Sequence, residues 1–125
     1  MEKRRAVDIS EWLYRRGFST PERKYMNPDG TATSRVFKLR EKDNGELSVD
    51  VKSMTTVKNS VGDPERFFLF EIPNKAVLGI SSKLQTFHDP LEDGSNDAHA
   101  VIVGMEMEDE ISPGMLAKFS KRVFL

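Results

Sequence analysis

Residues 34–51, SRVFKLREKDNGELSVDV, constrain the fold more than any other stretch of the chain. Phe37 and Leu39 alternate with Lys38 and Arg40, and Leu47, Val49 and Val51 alternate with Ser48 and Asp50. Successive side chains of a strand point to opposite faces, so a period of two predicts strands with one apolar and one polar face. Asp43-Asn44-Gly45 lies between the runs, and Asn-Gly favours a two-residue turn because both residues tolerate positive φ. The stretch predicts a β-hairpin with its polar face in water.

Helical signals flank it. In DISEWLYRRG, residues 8–17, Asp8 and Glu11 have capping-box spacing, and Ile9, Trp12 and Leu13 recur at helical spacing. Arg15, Arg16 and Gly17 suit the end of that helix. Residues 19–34 are turn-rich, with one helical turn expected after Thr20-Pro21 and a tight turn at Asn27-Pro28-Asp29-Gly30. RFFLFEI, residues 66–72, reads as a strand buried on both faces, AVLGIS (76–81) as another strand, and SSKLQTF (81–87) as a short helix. HAVIVGMEM, from residue 99, has the β-branched content of a buried strand. The last segment, 112–125, opens with Ser112 as N-cap and Pro113 in the first turn, and Met115, Leu116, Phe119 and Val123 form an apolar stripe. Together these elements predict an α+β fold: a mixed β-sheet including the hairpin, with N- and C-terminal helices packed on it.

A length of 125 residues with 38% hydrophobic content is enough for one core, so a single domain over 1–125 is expected. The net charge of -1 supplies no global field toward nucleic acid or membrane. There is no cysteine, which excludes disulfides, thiol nucleophiles and cysteine-ligated zinc. The first ten residues lack the apolar core of a secretory signal, and no apolar run approaches the roughly 18 residues of a membrane helix. A cytoplasmic location with no membrane partner is therefore expected. With no Gly-rich phosphate loop and no nucleophile elbow, no cofactor is expected either.

Two features suggest chemistry. The first is FHDPLEDGSNDAHAVIVG, residues 87–104, which contains both histidines. Imidazole titrates near neutral pH, so His88 and His99 could stand on either side of a phosphate as base and acid, with Asp89 orienting one ring. That would be a metal-free ribonuclease or phosphodiesterase. The plainer alternative is that His88 ends one element and His99 begins a strand, each hydrogen-bonded locally. The same residues with Glu92, Asp93 and Asp97 have neither a helical His-x-x-x-His spacing nor the ligand positions of an EF-hand loop, so the reading is a solvated acidic loop and no metal.

The second feature is a charge split. Lys3, Arg4, Arg5, Arg15, Arg16, Arg23, Lys24, Arg35, Lys38 and Arg40 lie in the first forty residues. Residues 88–110 carry no Lys or Arg but contain Asp89, Glu92, Asp93, Asp97, Glu106, Glu108, Asp109 and Glu110. The basic part, interleaved with Tyr14, Phe18 and Tyr25, could bind nucleic acid or an acidic partner. Alternatively the two parts fold together and neutralise each other.

Three stretches, SRVFKLREKDNGELSV, VLGIS and DPLEDGSNDAHAVIVG, resemble a set of small uncharacterised bacterial proteins. The resemblance spans 34–104 and carries no established activity. It implies that the His99-Ala100 pair is more typical than His88, and that Arg35, Phe37, Ser48 and His99 share one surface. The expected function is a non-enzymatic protein-binding module acting through a protein partner or self-association, with Arg15, Arg16, Arg35, Phe37 and Ser48 as binding residues. The alternatives are the His88/His99 phosphodiesterase and nucleic-acid binding by the basic N-terminal segment.

Overall fold

The architecture is that of a computed structural model, which describes residues 4–125. In chain order the elements are β1 (Arg5–Ala6), β2 (Trp12–Phe18), β3 (Leu47–Val51), α1 (Val57–Val61), β4 (Phe67–Pro73), α2 (Asn74–Ile80), β5 (Gln85–His88), β6 (His99–Val103), α3 (Ile111–Phe119) and β7 (Lys121–Val123). Short 3-10 helices occupy Pro21–Arg23, Ser34–Phe37, Glu41–Asp43 and Lys52–Met54. The seven strands form one sheet, β1-β5-β6-β3-β2-β4-β7. Every pairing is antiparallel, where a mixed sheet was expected. The class is α+β, with small helices.

The sheet's alternation divides the molecule. Leu13, Leu47, Val49, Val51, Phe70, Ile72, Ala100 and Ile102 point to one face and form the main core with α2, α3 and the Ser34–Phe37 turn. On the other face Tyr14 and Leu69 pack under Val61 of α1. Val101 is also buried on that face, and the part around Ser48 and Asp50 floors the cleft described below.

The expected N-terminal helix is instead strand β2, paired residue for residue with β4 from Trp12↔Pro73 to Phe18↔Phe67. Ile9, which helical spacing assigned to the core, is 54% exposed. Asp8 does cap, but it caps a turn: its carboxylate accepts from the Ser10 amide, and its carbonyl from the Glu11 amide. A continuous ladder outweighs a modest local helical preference.

The hairpin is half formed. Leu47–Val51 is a strand with the expected alternation, yet its partners are β6 and β2. The other arm is a 3-10 turn that inserts Val36 and Phe37, both fully buried, into the core beside α3. Asn44 and Gly45 take positive φ (53° and 76°) as the turn motif requires, but they join the Glu41–Asp43 turn to β3.

AVLGIS belongs to helix α2 instead of a strand: Ala76, Val77 and Ile80 share its core-facing side. SSKLQTF, read as a helix, is a turn closed by Leu84 N–H donating to the Ser81 carbonyl, followed by β5. RFFLFEI is β4, with Leu69 buried on one face and Phe70 and Ile72 on the other. The C-terminal helix starts before Ser112. Asp109 Oδ1 accepts from the Ile111 and Ser112 amides, so aspartate supplies the cap. The helix ends at Phe119, and Val123 lies on the edge strand β7.

Candidate functional site

Beside α1, the open face of the sheet forms a cleft of about 770 Å³ between β2, β3 and β6 below and the 89–98 loop at the side. Ser48 and Asp50 of β3 and His99 of β6 point into it, because Asp50 pairs with His99 and Ser48 with Val101. Asp50 ties both walls to the floor: Oδ2 accepts from Ser60 Oγ of α1 at 2.7 Å, and Oδ1 from Asn96 Nδ2 of the loop at 2.8 Å.

His99 is held at both ring nitrogens. Nδ1 lies 2.8 Å from the main-chain carbonyl oxygen of Asp89, and Nε2 lies 3.2 Å from Ser48 Oγ. A carbonyl only accepts, so Nδ1 carries a hydrogen. The Asp89 carboxylate is 3.7 Å from Nδ1 and is itself held by Arg4, whose Nε is 3.4 Å away. Arg4 also pairs with Glu46, and this hydrogen bond holds the Glu46 carboxyl below the usual range and raises the Arg4 guanidinium.

The structure does not bring the two imidazoles to one side. His88 pairs with Ala100, so it points to the face opposite that of the adjacent His99. Its Nε2 is 2.6 Å from the Asp97 carbonyl oxygen and donates to it. Two imidazoles flanking one phosphate is not the arrangement this register provides.

The residues singled out for binding are dispersed. Phe37 is fully buried in the core and is not a surface residue. Arg15 fills the gap where β2 and β3 part after Tyr14↔Asp50: Nε donates to the Val36 carbonyl and an Nη to the Ser48 carbonyl, both at 2.8 Å. Burial lowers its pKa to about 10, so the guanidinium stays protonated at neutral pH. Arg16 lies along the cleft with its guanidinium 4.4 Å from the Phe67 ring centroid. Of the set implied by the resemblance, only Ser48 and His99 meet.

Arg35 lies in a second groove of about 620 Å³, built by the 21–40 segment and the start of α3. Arg23, Arg35, Lys38 and Arg40 line it with Tyr25, against one carboxylate, Glu110. Lys38 Nζ is 3.7 Å from Glu110, and Arg23 stacks on Phe18 at 4.6 Å. Arg35 makes no ion pair among the described residues. The charge split is thus neutralised in places, at Arg4–Asp89, and in this groove at Lys38–Glu110 and Arg40–Asp43, while Arg23 and Arg35 make no ion pair among the described residues. Lys3 lies outside the described residues.

Among the described residues no three His, Asp or Glu side chains are grouped to hold a metal ion, and no helix is long and apolar enough to cross a membrane. The fold defines the chain as an α+β protein built on a single antiparallel sheet. Comparison with known proteins found no matching family, no matching curated protein and no matching solved structure.

Sequence reasoning missed Asp50 and Asn96, and only the resemblance, not the periodicity, put Ser48 and His99 on one surface. The alternation of 47–51 already placed Ser48 and Asp50 on one polar face. What was missing was the pairing of β3 with β6, and strand order is not encoded in local periodicity.

Proposed function

We propose that this chain is a protein-binding module whose basic groove receives an acidic segment of a partner protein. One observation carries the proposal: Arg23, Arg35, Lys38 and Arg40 converge on one groove, and only Lys38, with Glu110, and Arg40, with Asp43, are ion-paired among the described residues. Guanidinium groups present a planar fork of donors that matches a carboxylate, and a grouped set binds more than isolated surface charges do. Tyr25 in the same groove adds an aromatic wall for an aliphatic or aromatic neighbour of the acidic residue.

An acidic protein segment fits better than nucleic acid. The net charge of -1 gives no long-range attraction for a phosphate backbone. The acidic residues 106–110 also adjoin the groove at Glu110, so the groove suits a short acidic segment better than an extended polyanion that continues past it.

The test is fluorescence anisotropy with a short glutamate-rich peptide and a single-stranded RNA of equal charge, at low and moderate salt. The peptide is expected to bind, and the Arg35→Glu/Lys38→Glu double variant to weaken it by at least about tenfold through removed attraction and added repulsion. Tighter binding of the RNA than of the peptide would move the proposal to nucleic acid. Absence of peptide binding at low salt would end it.

A further inference from the structure

We propose that Ser48 is a nucleophile, activated by His99, for acyl transfer from a small carboxylic ester bound in the sheet-face cleft. The assignment goes beyond the basic groove, which lies on the other side of the sheet, and it stands on geometry alone.

The tautomer follows from the hydrogen bonds. His99 Nδ1 donates to the Asp89 carbonyl at 2.8 Å, so in the neutral ring the lone pair is on Nε2. That lone pair faces Ser48 Oγ at 3.2 Å, and the hydroxyl hydrogen is directed at a base. A nucleophile in reach of a base, with the base oriented by a third group, is the arrangement that activates a serine. Here the third group is main chain, and the Asp89 carboxylate at 3.7 Å is placed to stabilise the imidazolium that forms.

The support is rigid. Ser48 sits mid-strand, with Leu47 and Val49 on either side paired to β6 and its own carbonyl taken by Arg15. His99 is pinned within the sheet by the Asp89 N–H donating to its carbonyl at 2.8 Å. Catalytic groups on paired strands hold their geometry better than groups on loops. Ser48 is exposed while the side chain of His99 is only 16% exposed, so the nucleophile faces the cleft and the base lies behind it.

The chemical step balances without any further reactant than water. Ser48 Oγ forms a bond to the ester carbonyl carbon, its proton passes to His99 Nε2, and the carbonyl π pair moves onto oxygen. The tetrahedral intermediate collapses, the C–O bond to the alcohol breaks, and the departing oxygen takes the proton from Nε2. Water then attacks the Ser48 ester by the same route and releases the acid. Arg16 and Asn59 are among the polar side chains that line the same cleft.

The experiment treats the full chain with a fluorophosphonate and maps the adduct by peptide mass spectrometry. One adduct per chain on Ser48 is expected, absent from the unfolded protein and from Ser48→Ala, an exposed substitution that leaves the fold intact. His99→Gly is expected to slow labelling by at least about a hundredfold, and free imidazole to restore it. No adduct, an adduct on another serine, or labelling at the native rate without His99 would overturn the assignment. So would failure of imidazole to rescue a His99→Gly variant that melts at the wild-type temperature, since His99 would then be structural.

Discussion

Two glycines of this chain look alike in the sequence and differ in what they allow. Gly104 follows β6 with φ +99°, and a Cβ there would lie 1.9 Å from the Lys83 carbonyl oxygen. That oxygen belongs to the main chain ahead of β5, so it cannot swing aside. Gly104→Ala adds a left-handed backbone penalty to a main-chain collision and is expected to destabilise by about 3 kcal/mol or more. Gly79 lies within α2 and its added Cβ would meet nothing within 4 Å. Gly79→Ala is expected to stabilise by about 0.5 kcal/mol through helix propensity and a less flexible unfolded chain. Thermal melts of the two variants test the pair, and shifts of the same sign would contradict this account. Nothing local distinguishes them, because the close approach at Gly104 is made by Lys83, twenty-one positions away. Asn44-Gly45 was legible for the opposite reason: its positive φ is demanded by the turn itself. Ser48 and His99 were each legible as polar residues on a strand or at its start. Their contact was not, since it is made across fifty-one positions.

Alternation and uninterrupted apolar runs located three strands, while the misread segments were decided by contacts distant in sequence: the ladder with β4 for residues 12–18, core insertion for Val36 and Phe37, and a buried amide for the segment after β4. Alternation located β3, and apolar runs located β4 and β6. The segment after β4 failed because its fate depends on Asn74, a fully buried amide that starts α2. Asn74 Nδ2 donates to the Val7 and Asp8 carbonyls, each at 3.1 Å, and Oδ1 accepts from Thr86 Oγ1 at 2.6 Å. Its own N–H donates to the Glu11 carbonyl at 2.9 Å. One side chain thus ties α2 to the β1–β2 connection and to β5. Asn74→Ala leaves the partly buried Val7 carbonyl and the buried Thr86 hydroxyl without these partners, and an expected cost of about 2–4 kcal/mol follows. Urea midpoints measure that cost. Amide exchange should show its location: the Val7 N–H, which donates to the Thr86 carbonyl at 2.9 Å, exchanges faster if β1 loosens from the edge. An Asn74→Ala protein with unchanged Val7 protection would show that β1 is held by its ladder with β5 alone.

At the scale of the whole molecule, carboxyl hydrogen bonds spread along the chain set its response to acid. Hydrogen bonds hold five carboxyls below their ordinary range: Asp8 through Ser10, Asp29 through Thr31, Asp93 through Ser95, Asp109 through Ser112, and Glu46 through Arg4. They are spread from the turn before β2 to the start of α3, so no single element absorbs the effect. A carboxyl whose pKa is lower folded than unfolded binds fewer protons in the native state. Its contribution is complete above the unfolded value, 3.8 for Asp and 4.5 for Glu, and is lost as pH falls through the folded one. The melting temperature is therefore expected to be level from pH 7 to about 5 and to fall steadily below about 4. A second cause would act in the same direction, because protonating the carboxylates leaves 19 Lys and Arg and two His repelling one another. Salt separates the two. General repulsion is screened once the Debye length shrinks to about 3 Å near 1 M salt, whereas hydrogen bonds between neighbouring groups are not. The acid limb should therefore persist in high salt and shift only slightly. Its disappearance there would assign acid unfolding to net charge and deny these five carboxyls their role.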